Sequence, residues 1–80
     1  RESYLLDAQK QFAAAWEANP GDHAVALKLG VVHNLLSQDR EALRWFRLAS
    51  ESADPAVADQ ALQSYRISRR STNAPRRRFG

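Results

Sequence analysis

Histidines and carboxylates are the residues of this 80-residue chain that could bind a metal ion or transfer protons. His23 and His33 lie ten residues apart in one predicted helix, whereas a helical metal site needs two ligands one turn apart. The aspartates and glutamates are scattered, and no pair has a spacing that suits acid–base catalysis. The sequence shows no P-loop, dinucleotide fingerprint or nucleophile motif. We therefore predict a non-enzymatic protein without a metal ion or cofactor.

Arginine is the other residue type whose placement could support binding. Residues 1–65 carry six basic and nine acidic side chains, a balance of −3, whereas residues 66–80 carry six arginines and no acid. The pI near 10.0 is thus a property of the C-terminal end. Arg66 and Arg69 can stabilise the last turn of a helix against its dipole. They can also clamp an acidic ligand, because guanidinium binds carboxylate bidentately.

The run Arg76–Arg78, followed by Phe79, has two interpretations. An arginine run beside an aromatic ring can attach a protein to nucleic acid or to an anionic surface. This run is only three residues long and follows an acidic body, so a solvated linker is the favoured interpretation. We predict that residues 71–80 form a basic, disordered tail and that nucleic acid is not the main partner.

Four helices should position these residues, because apolar residues recur at three- and four-residue steps along the chain. Pro20 and Gly21 end the first helix, and Asp22 can cap the second. Asp39 can cap the third helix, and Asp54-Pro55 is a strong signal for the start of the fourth. The predicted helices cover about residues 3–19, 23–36, 40–52 and 55–69.

The length and composition bound the domain organisation. Eighty residues allow one small domain, which we assign to residues 1–70. No cysteine is present, so disulfide bonds are excluded and the compartment is not indicated. No apolar run approaches the roughly 20 residues that span a bilayer. The sequence thus predicts an all-α domain of antiparallel helical hairpins, since short connections join antiparallel neighbours.

A repeat runs through the predicted helices. Three residues of the first helix return 34 residues later in the third, and a proline returns after 35: Ala8, Phe12 and Ala15 as Ala42, Phe46 and Ala49, and Pro20 as Pro55. Self-similarity at this period is typical of stacked helical repeats. Gly30 lies inside the second helix, where glycine costs roughly 0.5–1 kcal/mol relative to alanine. We expect that a facing helix approaches closely there.

These residues resemble the tetratricopeptide repeat (TPR) family, whose pattern includes Leu-Gly, Ala-x3-Phe and a closing proline. The matching residues are Leu29-Gly30, Ala42, Phe46, Ala49 and Pro55. Ala26 and His33 depart from the pattern, because aromatic residues are common at both places. The resemblance covers about residues 4–56. It implies a short TPR-like solenoid with one full repeat, a preceding half repeat and a C-terminal helix.

The resemblance implies a protein-interaction scaffold, since the first helices of such repeats line a groove that holds peptides. The residues that would line it here are Leu27, Lys28, Val31, Asn34, Leu35, Arg66 and Arg69. Asn34 is the best-placed polar residue, because an amide both donates and accepts hydrogen bonds. The alternative is that Leu27, Val31 and Leu35 pack against a neighbouring helix.

The incomplete first repeat leads to a second hypothesis. The first helix lacks the helix that would precede it in a repeat, so we expect exposed apolar surface near Tyr4, Leu6 or Trp16, or its coverage by another chain. This predicts self-association through Leu6 and Trp16. The chain would then be a structural spacer or assembly fragment of a larger repeat protein that stacks on neighbouring repeats.

Overall fold

The computed structural model describes residues 2–73 of the chain, and the side chains of residues 2–70. They form four α-helices, which are α1 (Glu2–Ala18), α2 (His23–Leu35), α3 (Asp39–Ala49) and α4 (Pro55–Asn73). No strand occurs between residues 2 and 73, and the all-α fold predicted from the sequence is confirmed. The Arg76–Arg78 run of the predicted tail lies outside the described residues.

The helix α2 is the central element, because it packs against each of the other three helices and most extensively against α3. The helix α3 packs in turn against α4, and α1 packs against α2. A helix that is apolar on more than one side suits such a sandwiched position. Five residues of α2 are buried: Ala26, Leu27, Leu29, Gly30 and Val32.

The core is built around Phe46, a residue of α3 that is only 1% exposed. Gly30 of α2 faces this ring so closely that an added Cβ atom would lie 2.5 Å from two ring carbons. The close approach predicted at Gly30 is therefore confirmed. Small residues elsewhere in the core let the helices come together, namely Ala26, Ala42, Ala49 and Ala61.

The turn between α1 and α2 follows the predicted chemistry. The Asn19 N–H still donates to the Ala15 carbonyl at 3.1 Å, and Gly21 then adopts a φ of +100°. Glycine suits this left-handed conformation because it has no Cβ atom. The Asp22 carboxylate accepts a hydrogen bond from the Val25 N–H at 3.4 Å, so the predicted cap of α2 is confirmed.

The turn between α2 and α3 is a Schellman motif. The Gln38 N–H donates to the His33 carbonyl at 2.8 Å, and the Ser37 N–H donates to the Asn34 carbonyl at 3.0 Å. Ser37 takes the left-handed conformation of this motif, with a φ of 62°. The tight turn lets α3 begin at Asp39, so Gln38 rather than Asp39 is the N-cap residue and the predicted Asp39 cap is wrong.

The helix α4 begins as predicted and extends further than predicted. The Asp54 carboxylate accepts from the Ala56 N–H at 3.0 Å, and Pro55 is the first helical residue. The helix is described as far as Asn73, four residues beyond the predicted end at Arg69. No helix breaker occurs before Pro75 in the sequence, so nothing stops the helix earlier. The tail predicted from residue 71 therefore starts inside α4.

Candidate polypeptide-binding surface

Two aliphatic side chains of α2, which we call the α2 ridge, point away from the core. Val31 and Leu35 are both exposed, Leu35 by 61%. They lie one helical turn apart and so share a face of the helix. Leu27, one turn earlier, is only 8% exposed and belongs to the core cluster around Phe46. The prediction that Leu27 lines an open groove is therefore wrong, and the packing alternative holds for this residue alone.

The first depression beside the ridge, the α2–α4 hollow, has a volume of about 180 Å³. Both ridge residues and Asn34 line it from α2, and Ile67 lines it from α4. Ile67 is 66% exposed, so this side of the hollow is accessible and apolar. The remaining lining residues are Phe46, Ser64 and Ser68.

The second depression, the α1–α2 groove, lies on the other side of the ridge and is larger, at about 460 Å³. The residues that line it are Tyr4, Leu5, Ala8 and Phe12 from α1, and Lys28, Val31, Val32 and Leu35 from α2. The Lys28 ammonium nitrogen lies 5.9 Å from the centroid of the Phe12 ring, within cation–π range. Lys28 is the one charged residue among those that line this groove.

The two arginines predicted for the binding site lie beside the α2–α4 hollow rather than within its lining. Arg66 and Arg69 are exposed residues of α4 on either side of Ile67 in the sequence. Three residues apart, they project from neighbouring positions of one helix. Neither forms a salt bridge to a described side chain, and the pair Arg44–Glu41, at 3.7 Å, is the one found among those residues. Both guanidinium groups can therefore pair with an external anion.

The two histidines are not brought into a metal site. The His33 ring donates from Nδ1 to the Gln38 side-chain oxygen at 2.6 Å, and Gln9 Nε2 of α1 lies 3.3 Å from His33 Nε2. This polar network joins α1 to the turn that follows α2. His23 is half-buried at the start of α2. Within residues 2–73, no group of three or more histidine or carboxylate side chains is arranged to hold a metal ion.

Four residues that line the α2–α4 hollow were not among the predicted site residues, namely Phe46, Ser64, Ile67 and Ser68. Ile67 is a solitary aliphatic residue between Arg66 and Arg69, in a stretch that is otherwise polar. That isolation was a signal, because an aliphatic residue outside the apolar stripe of a helix points towards solvent. Ser64 gave no such signal, since serine is common on exposed helix faces.

The exposed surface of α1 differs from the prediction at one residue. Tyr4 and Leu6 are exposed, as predicted. Trp16 is half-buried against Trp45 of α3, with ring centroids 5.4 Å apart and an interplanar angle of 82°. Because Trp45 covers part of this ring in an edge-to-face contact, Trp16 is less exposed than predicted, and self-association through it stays a prediction. Leu6 retains the exposure that the prediction requires.

Comparisons with known proteins leave the family open. No family model, curated protein or solved structure matches the chain. The resemblance to the tetratricopeptide repeat thus remains a prediction that rests on the motif residues. None of the described helices combines the length and the apolar character needed to cross a membrane.

Proposed function

We propose that this chain is a non-enzymatic protein-interaction module that binds a polypeptide segment along the α2–α4 hollow. The observation that carries the proposal is the pair Leu35 and Ile67, which are highly exposed and line one hollow from two different helices. Single exposed apolar residues are common on protein surfaces. Apolar residues from two elements that converge on one depression are typical of an interaction site.

The polar residues around the hollow define the chemistry of the partner. Asn34 lines the hollow, and its amide can both donate to and accept from a peptide backbone. Arg66 and Arg69 carry positive charge on the neighbouring turn of α4. We therefore expect a partner segment that places an aliphatic side chain in the hollow and an acidic side chain next to these arginines.

The size of the hollow favours a peptide side chain over a small-molecule ligand. Its volume of about 180 Å³ is below the roughly 300–1,000 Å³ of pockets that enclose drug-sized molecules and cofactors. One aliphatic side chain of a bound peptide fits this space while the peptide backbone forms hydrogen bonds with Asn34. Such a contact area is small, so we expect a weak and transient complex.

Selection of short random peptides against the full 80-residue chain tests this proposal. Peptides from the selection would be synthesised with a fluorescent label, and their dissociation constants measured by fluorescence anisotropy. We expect the selected peptides to share an aliphatic residue near an acidic residue. Ile67→Asp should weaken their binding by about tenfold or more, because it replaces an apolar contact with a charged side chain against the docked aliphatic group.

Leu62→Asp is the matched control for this experiment. Leu62 is also an exposed aliphatic residue of α4, but it does not line the hollow. Its substitution should leave peptide binding unchanged, and circular dichroism should show the same helix content for both variants. Peptides that lose affinity with Leu62→Asp but bind normally to Ile67→Asp would overturn the proposal. A selection that enriches no peptide would overturn it as well.

A further inference from the structure

The helices α1 and α3 carry the same repeat but differ in how it is covered. The equivalent residues, 34 positions apart, are Ala8 and Ala42, Phe12 and Phe46, and Ala15 and Ala49. All three residues of α3 are buried, whereas Phe12 is half-buried and Ala15 is exposed. None of the residues Glu2–Ala18, all of which the structure describes, is buried. One face of α1 is thus built like the core face of α3, but residues 2–73 cover it only in part.

The coverage of α3 shows what kind of element fits such a face. The helix α2 lies over α3 and places Gly30 against the Phe46 ring, where even a methyl group would be too close. Aliphatic residues of α2 are buried around this contact. The face of α3 is therefore covered by an apolar helix that has a small residue opposite the phenylalanine.

The matching space beside α1 is the α1–α2 groove. Ala8 and Phe12, two of the three repeated residues, line it from α1, and the α2 ridge lines it from the other side. The groove is continuous with the interface between α1 and α2, as the contact of Lys28 with the Phe12 ring shows. An element in this groove would contact both helices, as α2 contacts both α3 and α4.

We propose that the α1–α2 groove binds one α-helix of a partner polypeptide, which packs on α1 in the way that α2 packs on α3. The partner helix has glycine or alanine opposite Phe12 and aliphatic residues on either side of it. An acidic side chain near Lys28 completes the match, because this lysine is the charged residue at the groove. Recognition of an amphipathic helix by an apolar groove is a common mode of peptide binding.

A second copy of the chain is a poorer occupant. Its α2 helix has the required residues, but they are already buried against its own α3. To offer them, the second copy would have to open its core or exchange the helix. The proposal also goes beyond binding at the α2–α4 hollow, since it depends on α1 and not on α4. The two sites share only the α2 ridge among their lining residues, so substitutions in α1 and α4 separate them.

A synthetic peptide with the sequence of residues 22–36 is a direct probe, because it reproduces α2 with its Asp22 cap. It would carry a fluorescent label and be titrated with the full chain while anisotropy is measured. We expect saturable binding with one peptide per chain. The same peptide with Gly30→Val should bind about tenfold or more weakly, because the added side chain overpacks against Phe12.

Two variants of the chain locate the binding site. Ala8→Leu fills the groove and should abolish binding of the peptide, whereas Ala14→Leu, on an exposed position of α1, should leave it unchanged. Phe12→Ala removes the ring and should let the Gly30→Val peptide bind as well as the original peptide. Ile67→Asp should have no effect on this peptide. A negative result for peptide binding at the α2–α4 hollow would therefore not argue against helix binding at the α1–α2 groove.

Several results would overturn the proposal. Equal affinity for the glycine and valine peptides would show that no close helix packing occurs. Binding that survives Ala8→Leu would place the peptide elsewhere, such as on α3 after displacement of the chain's own α2. A dimer in sedimentation equilibrium that Ala8→Leu dissociates would show that a second copy, rather than a partner helix, occupies the groove.

Discussion

At the scale of single residues, the contact between Gly30 and Phe46 determines how closely α2 and α3 approach. Alanine normally stabilises a helix interior by roughly 0.5–1 kcal/mol relative to glycine. Here the new Cβ atom would lie 2.5 Å from a ring that is almost fully buried. We expect Gly30→Ala to lower the free energy of unfolding by about 1–3 kcal/mol, as overpacking does. Urea denaturation followed by circular dichroism measures this change.

Phe46→Leu provides the control for this prediction. Alone it should destabilise the chain, because it removes buried aromatic volume. Combined with Gly30→Ala it should cost less than the sum of the two single changes, since the smaller side chain relieves the overlap. A stabilising effect of Gly30→Ala, with no coupling to Phe46, would contradict the close packing inferred here.

Some properties of single residues followed from the sequence and others did not. The close approach at Gly30 was predictable, because an interior helical glycine needs a compensating contact. Leu27, Val31 and Leu35 share one stripe of α2, so the periodicity could not separate the buried residue from the two exposed ones. Their exposure depends on where α3 and α4 cross α2, and a helical period does not contain that information.

At the scale of the elements, the Schellman turn after α2 contains a residue in an unfavourable conformation. Ser37 has a φ of 62°, which glycine adopts without steric penalty but other residues do not. The Ser37 N–H donates one hydrogen bond to the Asn34 carbonyl, and any residue other than proline can make this backbone interaction. We therefore expect Ser37→Gly to raise the free energy of unfolding by about 0.5–1 kcal/mol. Thermal and urea unfolding would both report this gain.

Ser37→Ala is the matched control, because it removes the hydroxyl group but keeps the Cβ atom that makes the left-handed conformation costly. It should leave stability unchanged within a few tenths of a kcal/mol. If Ser37→Ala and Ser37→Gly stabilised the chain equally, the hydroxyl group and not the backbone conformation would be the cause, and the interpretation of this turn would be wrong.

The elements themselves were the most predictable part of the fold. Pro20, Gly21 and Asp54-Pro55 marked helix ends through local chemistry, and the structure has helix boundaries there. The start of α3 was predicted one residue late, because Asp39 reads equally well as a cap and as a first-turn residue. The helix α4 is longer than the predicted range to residue 69, because a loss of apolar periodicity does not by itself stop a helix and no breaker precedes Pro75.

At the scale of the whole molecule, the repeat predicted that α1 would be less covered than α3, but the periodicity could not show which contacts attach α1 to the other helices. Its attachments are the Trp16–Trp45 contact, the Gln9 network around His33 and the packing of Phe12 near Lys28. The tryptophan contact joins helices that are not adjacent in sequence, so a spacing pattern within one helix does not reveal it. The candidate groove beside α1 is a consequence of this partial attachment.

The partial attachment of α1 predicts that the molecule does not open as one unit. Because no residue of α1 is buried whereas α2 and α3 form the core, the amide protons of α1 should exchange through local opening at a lower free energy than those of α3. Trp16→Ala should lower the opening free energy of α1 by about 1–2 kcal/mol, which accelerates exchange there by roughly 5–30-fold. The exchange of α3 should stay nearly unchanged.

The control variant Tyr4→Ala alters an exposed ring and should have little effect on either helix. Native-state hydrogen exchange measured by NMR separates these cases. Equal opening free energies for α1 and α3, lowered together by Trp16→Ala, would show instead that all the helices unfold cooperatively and that α1 is no less firmly attached than the rest.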